Sequence, residues 1–286
     1  MSPDVSDRPE VAGVVGGGAW GTALATVLAA AGIPRVAVFA RDPRTRRLIE
    51  TRRLAPALPG VRLPDAVVPV ADLAEAASAP LVVMAVPAQA TRATLAAIAA
   101  AGASPGILVL TAKGIERGTG ALQTAIAAET LPASAATVLS GPSFAVDVAA
   151  GLPTAVTIAA ADVALAEQAA ALFATEAFRP YASGDPTGVQ LGGALKNIYA
   201  IASGIVTGRG LGDSARAALL ARSIAELTRL AVALGARAET VAGLSGLGDL
   251  VLTATSEKSR NYRFGLALAR GAAWQGGEDG AGHPPL

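Results

Sequence analysis

The chain contains no cysteine among its 286 residues. That excludes disulfides, a thiolate nucleophile and any Cys-based zinc site. Histidine is nearly as scarce, for the single one, His283, stands in a polar run close to the end. A histidine general base and a His-cluster metal site are therefore not expected, and no metal is assigned; chemistry must rest on Lys, Arg, Asp, Glu or hydroxyls. Charge of one sign is also missing. A net charge of +1 gives no reason to expect nucleic acid as a partner. A hydrophobic content of 52% is ample for a core. The length allows one large domain or two ordinary ones.

Val11 to Pro34 carries no charge, which on length alone would allow a membrane span. Three consecutive glycines inside it, and the strand pattern beyond, argue against a span. The opening MSPDVSDRPE sets Asp4, Asp7 and Glu10 against Arg8, so it lacks the basic start of a signal peptide. A soluble, cytoplasmic protein is expected.

What is present centres on VAGVVGGGAWGTALATVLAAA, Val11–Ala31. It reads as a buried strand over Val11–Val15, a glycine turn, and a helix opening near Trp20. Gly16, Gly18 and Gly21 stand in the order G-x-G-x-x-G. The first allows a sharp turn, the second leaves room for a pyrophosphate, and the third lets helix and strand pack closely. The helix N-terminus offers free N–H groups to the phosphates. A second strand, Arg35–Phe39, completes a βαβ unit, and dinucleotide binding is expected. Past that strand come Arg41, Asp42 and Pro43. Asp42 reads as an N-cap with proline at N1, whereas Arg41 favours a ribose 2′-phosphate. NADP(H) is thus preferred, with NAD(H) possible, and a solvated Arg41 is the plain alternative.

Ala55–Pro64 is a proline-rich loop or edge segment. Leu81–Val86 is a buried parallel strand, followed by a helix over Gln89–Ala101 and a strand over Ile107–Thr111. Lys113 then falls at a strand's carboxyl end, the edge where open α/β sheets hold ligands. A helix over Gly120–Glu129 and a strand over Thr137–Leu139 lead to SGPSFA, in which Ser143 could simply cap the next helix. Thr154–Ile158 and Phe178–Ala182 read as late strands around a helix over Asp162–Thr175. From about Thr187 the pattern is helical to near Arg270, so the expected organisation is an α/β Rossmann-type doubly wound domain over 1–186 and an all-α domain over 187–286. Within VQLGGALKNIYAIASGI, Lys196 lies among apolar and small neighbours, where a lysine is costly unless paired and desolvation lowers its pKa. Two GLGD tetrads follow, and N-capping explains both Asp213 and Asp249 plainly. Ser259, Arg260 and Asn261 open the last amphipathic helix, a natural phosphate site or simply a capped surface helix.

The segments GGGAWGTALA, AVPAQ, AKGIE, SGPSFA, GVQLGGALKNIYAIASG, GLSGLGDLVLT and SRNYRFG, in this order from Val11 to Ala269, resemble those of bacterial NAD(P)-dependent glycerol-3-phosphate dehydrogenases. The resemblance implies reversible reduction of dihydroxyacetone phosphate to sn-glycerol 3-phosphate, a precursor of glycerophospholipids, in a cleft between the domains. It also implies roles. Lys196 matches the general acid/base, Lys113 a second lysine near cofactor and substrate, and Asp249 the acidic partner of the catalytic lysine. Gly141, Ser143, Asn197 and Thr253 match substrate-site residues, and Ser259, Arg260 and Asn261 the substrate-phosphate site, with Arg260 also reaching the cofactor. Gly16, Gly18, Ala19, Trp20, Gly21, Arg41 and Ala145 match the cofactor side. A homodimer through the helical domain is implied as well. Ala19 and Ser214 replace the serine and asparagine that many relatives carry. After Arg270 the run GAAWQGGEDGAGHPPL has neither helical period nor core pattern, so the helical domain is expected to be shortened there. On residues alone two rivals stay open: another two-domain reductase of a small oxo or hydroxy acid, and a non-catalytic NADP(H)-binding relative.

Overall fold

The computed structural model describes residues 8–271. The chain divides into two units, Met1–Pro186 and Thr187–Leu286. From position 272 onward the run that contains His283 lies outside the described residues, as do residues 1–7.

The first unit alternates strands and helices. The strands are β1 (Val11–Val15), β2 (Arg35–Phe39), β3 (Val67–Val70), β4 (Leu81–Met84), β5 (Ile107–Leu110), β6 (Ala135–Ser140), β7 (Thr154–Ala159) and β8 (Phe178–Ser183). They form one sheet in the order β3-β2-β1-β4-β5-β6-β7-β8. Every neighbouring pair is parallel except β6 and β7. The helices are α1 (Ala19–Ala30), α2 (Pro43–Arg52), α3 (Leu73–Ala77), α4 (Thr91–Ala100), α5 (Gln123–Thr130), α6 (Ala145–Ala149) and α7 (Val163–Phe173). This is a Rossmann-type arrangement. The chain reverses direction across the sheet between β1 and β4, which makes their carboxyl ends the switch point where such sheets hold ligands.

The central strands read as apolar runs because they are buried on both faces; all four residues of β4 are buried. The core runs through Leu24, Val36, Ile49, Val83, Ile158 and Phe173. Each fully buried side chain of this size contributes roughly 1.5–3 kcal/mol of transfer free energy. β4 ends at Met84, two residues short of the apolar run, where the chain turns out through Val86 and Pro87. The expected helix from Gln89 begins with a short 3₁₀ turn over Ala88–Ala90, and α4 proper starts at Thr91. β3, with Pro69 inside it, is not evident from its sequence. It pairs only with β2, and an edge strand has no second neighbour to miss the proline's absent N–H.

The second unit is helical throughout its described part: α8 (Pro186–Gly208), α9 (Gly212–Ala233), α10 (Ala238–Ala242), α11 (Asp249–Thr255) and α12 (Arg260–Ala269). A five-residue π-helical turn, Leu244–Gly248, leads into α11. Ala200, Leu250 and Ala254 form a small core with Tyr199, Leu220 and Ile224 against it. Small residues let these helices touch backbone to backbone. A Cβ on Gly204 would lie 2.1 Å from the Tyr262 carbonyl oxygen, and one on Gly192 2.6 Å from that of Ser245. Among the described residues no helix is long and apolar enough to cross a membrane.

Candidate active site

The glycine turn is shaped by two different demands. Gly16 has φ +124°, and a Cβ there would sit 2.4 Å from the Ala85 carbonyl oxygen; a Cβ on Gly21 would sit 2.0 Å from that of Gly16. These two glycines are required by the fold itself. Gly18 is not, since a Cβ there would meet nothing within 4 Å. It is the N-cap of α1, with no side chain capping the first turn and no acidic residue in it. A helix start with open amides, open space beside it and no competing carboxylate suits a pyrophosphate. The cradle therefore fits a dinucleotide. Ala19 and Trp20 are the first two residues of α1, and the buried indole N–H of Trp20 meets no acceptor among the described residues.

At the end of β2, Asp42 caps α2 as its sequence predicts. It accepts from the Arg44 amide at 2.9 Å and the Thr45 hydroxyl at 3.1 Å, and Pro43 stands in the first turn. These bonds hold the Asp42 carboxyl below the usual carboxylate range, the Arg44 amide contributing most. Both carboxylate oxygens are thus engaged locally, and neighbouring Arg41 is exposed. The charge offered at this strand end is positive.

Lys113 follows β5, and its ammonium donates to the Gly141 carbonyl at 3.0 Å. The Ser143 hydroxyl donates to the same carbonyl at 3.1 Å. Three residues from two separate motifs thus meet at the carboxyl ends of adjacent strands. Ser143 does not cap α6, whose N-cap is Phe144 without a side-chain bond. The SGPS segment instead folds back on Gly141, which takes the Ser143 hydroxyl proton and leaves its oxygen able to accept. Ala145 is the first residue of α6 and packs partly against the core.

In the second unit, Lys196 lies on α8 and is 7% exposed; Asp249, the first residue of α11, is 1% exposed. Their side chains form an ion pair. The Lys196 ammonium also donates to the Thr253 hydroxyl at 2.9 Å, and that hydroxyl lies 3.3 Å from the Asp249 carboxylate. Asp249 and Thr253 are one turn apart and share a helix face, so α11 presents both to Lys196. A buried ammonium that would be costly alone is compensated by a carboxylate and a hydroxyl.

N-capping is wrong for both GLGD aspartates. The N-caps are Leu211 and Gly248, neither with a side-chain bond. Asp213 lies in the first turn of α9, paired with Arg216 at 2.8 Å on the surface. Asp249 is turned inward by the π-helical turn before it. Residue periodicity does not reveal that turn, although the tight glycine spacing of GLSGLG signals it; a Cβ on Gly246 would sit 2.0 Å from the Val241 carbonyl oxygen.

Ser259 does cap its helix, accepting from the Tyr262 amide at 3.2 Å. Arg260 is exposed at the start of α12. The Asn261 amide donates to the Asn197 side-chain oxygen at 2.8 Å, joining α12 to α8 next to Lys196. Lys196, Asn197, Asp249, Thr253 and Asn261 therefore belong to one connected patch of the helical unit. Gln89, Arg92 and Glu116 form a further polar network in the first unit that the residue patterns did not single out.

A Rossmann-type sheet with an open helix start, together with a helical unit carrying a buried lysine–aspartate pair, defines an NAD(P)-linked dehydrogenase. Family models for the N-terminus and the C-terminus of NAD-dependent glycerol-3-phosphate dehydrogenase match residues 11–166 and 185–282. The glycerol-3-phosphate dehydrogenase [NAD(P)+] of Rhizobium johnstonii is 52% identical over 259 residues, covering 90% of this chain and 79% of that protein. The same enzyme of Azorhizobium caulinodans is 53% identical over 268 residues, covering 93% and 81%. The crystal structure of glycerol-3-phosphate dehydrogenase from Coxiella burnetii superposes with a TM-score of 0.89 at 34% identity, over 97% of this chain and 85% of that one. The chain belongs to the NAD-dependent glycerol-3-phosphate dehydrogenase family.

Proposed function

We propose that the chain reversibly reduces dihydroxyacetone phosphate to sn-glycerol 3-phosphate with NAD(P)H. The observation that carries this reading is the buried Lys196–Asp249–Thr253 cluster, in a chain whose two parts both match the family. That match favours it over a reductase of oxo or hydroxy acids and over a non-catalytic relative.

The first unit, 1–186, is the dinucleotide-binding domain and the second, 187–286, the substrate domain. Gly16, Gly18, Ala19, Trp20 and Gly21 form the cofactor turn, with Ala145 a further cofactor contact. Arg41 takes a 2′-phosphate, so NADP(H) is preferred over NAD(H); the engagement of Asp42 in capping supports this, since its carboxylate is not offered to a ribose diol. When bound, the nicotinamide supplies a hydride to the substrate's carbonyl carbon. The Lys196 ammonium delivers a proton to the carbonyl oxygen as negative charge grows there, and in the reverse direction the neutral amine removes it. Asp249 and Thr253 hold the lysine in place. Lys113 adds a second cation beside Gly141 and Ser143, which contact substrate. Ser259, Arg260 and Asn261 hold the phosphate, so that the carbonyl is fixed relative to the proton donor; Asn197 orients Asn261.

Product supply to glycerophospholipid synthesis, a cytoplasmic location and a homodimer complete the reading. Exposed Leu230, Val232 and Leu234 near the end of α9 support association through the helical unit.

The test is NADPH oxidation by purified protein with dihydroxyacetone phosphate, with NADH and substrate-free reactions alongside. Turnover that Lys196→Ala abolishes, while NADPH binding survives, is expected. A Lys196→Ala enzyme close to wild type would overturn the mechanism, and NADPH binding without any turnover would overturn the activity.

A further inference from the structure

Two of the segments quoted above, AVPAQ and AKGIE, contribute polar residues that have no part in the reaction so far. Gln89 ends the first and Glu116 ends the second. They meet. The Gln89 amide donates to the Ile115 carbonyl at 2.9 Å, and its oxygen accepts from the Arg117 amide at 3.0 Å. One side chain thus closes two backbone bonds on a loop 26 residues away. Arg92, at the start of α4, forks onto Glu116 at 2.8 and 2.9 Å, the bidentate geometry that fixes direction as well as distance. Glu116 also accepts from the Thr119 hydroxyl at 2.6 Å. Gln123 donates to the Gly114 carbonyl at 2.9 Å. A Cβ on Gly114 would lie 2.7 Å from that of Ala88, so the turn after β4 rests directly on the loop after β5.

The residue next to this pinned stretch is Lys113. Its backbone enters from β5, and the four residues after it, 114–117, are each fixed by a bond or contact from the β4 side. Its ammonium reaches the Gly141 carbonyl after β6. A loop left to itself would let a lysine at its start sample many positions, and binding determinants displaced by an ångström lose much of their effect. We infer that Gln89, Arg92 and Glu116 are positioning residues for Lys113: they clamp the carboxyl ends of β4 and β5 together so that its ammonium is held over Gly141. The inference rests on the reading of Lys113 as a group acting on cofactor and substrate.

The test is a double-mutant cycle on the full-length protein, read in kcat and KM for dihydroxyacetone phosphate. Glu116→Gln keeps the shape while weakening the Arg92 fork, and Gln89→Met keeps the volume while removing both backbone bonds. Each is expected to lower kcat/KM about tenfold in the wild-type background. In a Lys113→Ala background each is expected to change it less than about twofold, because the group being positioned is gone. Equal losses in both backgrounds, with Lys113→Ala itself impaired, would overturn the clamp and leave the reading of Lys113 standing. So would an unchanged kcat/KM for both variants in the wild-type background. An unimpaired Lys113→Ala would overturn that reading and the clamp with it. If Glu116→Gln unfolds, Gln89→Met, on the outer side of the loop, carries the comparison alone.

Discussion

Replacing Asp249 by alanine should cost far more stability than the ion pair it belongs to contributes. At contact, opposite charges attract by about 5 kcal/mol for an effective dielectric constant near 20. Taking both ions out of water costs several kcal/mol each, so the intact pair returns little net stability. Asp249 is 1% exposed and Lys196 7%, so neither charge regains water when the other is removed. Asp249→Ala leaves a buried ammonium without its carboxylate, the Thr253 hydroxyl still accepting from it. The expected loss is about 3–5 kcal/mol of unfolding free energy, the usual cost of breaking a buried pair from one side. Urea denaturation followed by far-UV circular dichroism measures this, and turnover should fall because the proton donor is no longer fixed. The double replacement Lys196→Met with Asp249→Leu removes both charges at similar volume. It should recover most of the stability and none of the activity. A loss below about 1 kcal/mol for Asp249→Ala, the scale of an exposed pair, would refute the reasoning, for it would mean that water reaches the lysine in solution.

Other outcomes follow from the same geometry. Gly18→Ala should keep the unliganded melting temperature yet weaken NADPH binding by at least about tenfold in a fluorescence titration, since its methyl projects into open space at the helix start; Gly16→Ala, at φ +124° and 2.4 Å from a carbonyl oxygen, should not yield folded protein. Arg260→Ala should raise KM for dihydroxyacetone phosphate by about ten- to a hundredfold, the worth of a charged hydrogen bond or two, and abolish competition by inorganic phosphate. The Arg92 guanidinium and the Thr119 hydroxyl pull the Glu116 carboxyl from 4.5 down to about 2. The folded state therefore binds that proton less tightly than the unfolded one, and the clamp's contribution is present above pH 4.5 and lost as pH falls toward 2. Glu116→Gln should remove this part of the acid sensitivity, as denaturation midpoints between about pH 5 and 3 will report.

How much of this was legible in the sequence depends on how far apart the partners lie. The glycine turn is local: strand, turn and helix occupy a single stretch, and the spacing of Gly16, Gly18 and Gly21 states the geometry. Asp42 and Ser259 were readable as caps for the same reason, because a cap bonds within three residues. Lys196 stood out as a charge in an apolar run, which demands a partner without naming one. That partner is 53 residues away, and residue pattern alone offered only a cap for Asp249; the family resemblance supplied the pairing. β3 was hidden by its proline, and Ser143 by turn chemistry that fits a cap equally well. The stitch from Gln89 and Arg92 to the Lys113 loop is a tertiary contact between neighbouring strand ends, invisible until the sheet order is known.

The two GLGD tetrads show where pattern stops and packing begins. Gly210 and Gly212 both have positive φ, +66° and +86°, and a Cβ on either would meet nothing within 4 Å. They form an open turn, and Asp213 behind them keeps a side chain 93% exposed. Gly246 has an ordinary backbone, and there a Cβ would strike Val241 at 2.0 Å. The glycine is present so that the π-helical turn can press against its neighbours, Gly192 of α8 included. Lys196 follows Gly192 by one helical turn, and Asp249 follows Gly246 by three residues, so the same close approach that demands glycine brings the carboxylate to the ammonium. Identical tetrads thus differ in outcome because Gly210 and Gly212 serve a turn whereas Gly246 serves a contact. Gly246→Ala should accordingly lower both stability and kcat, whereas Gly210→Ala should cost only the backbone strain of a positive φ, about 1 kcal/mol, with kcat unchanged.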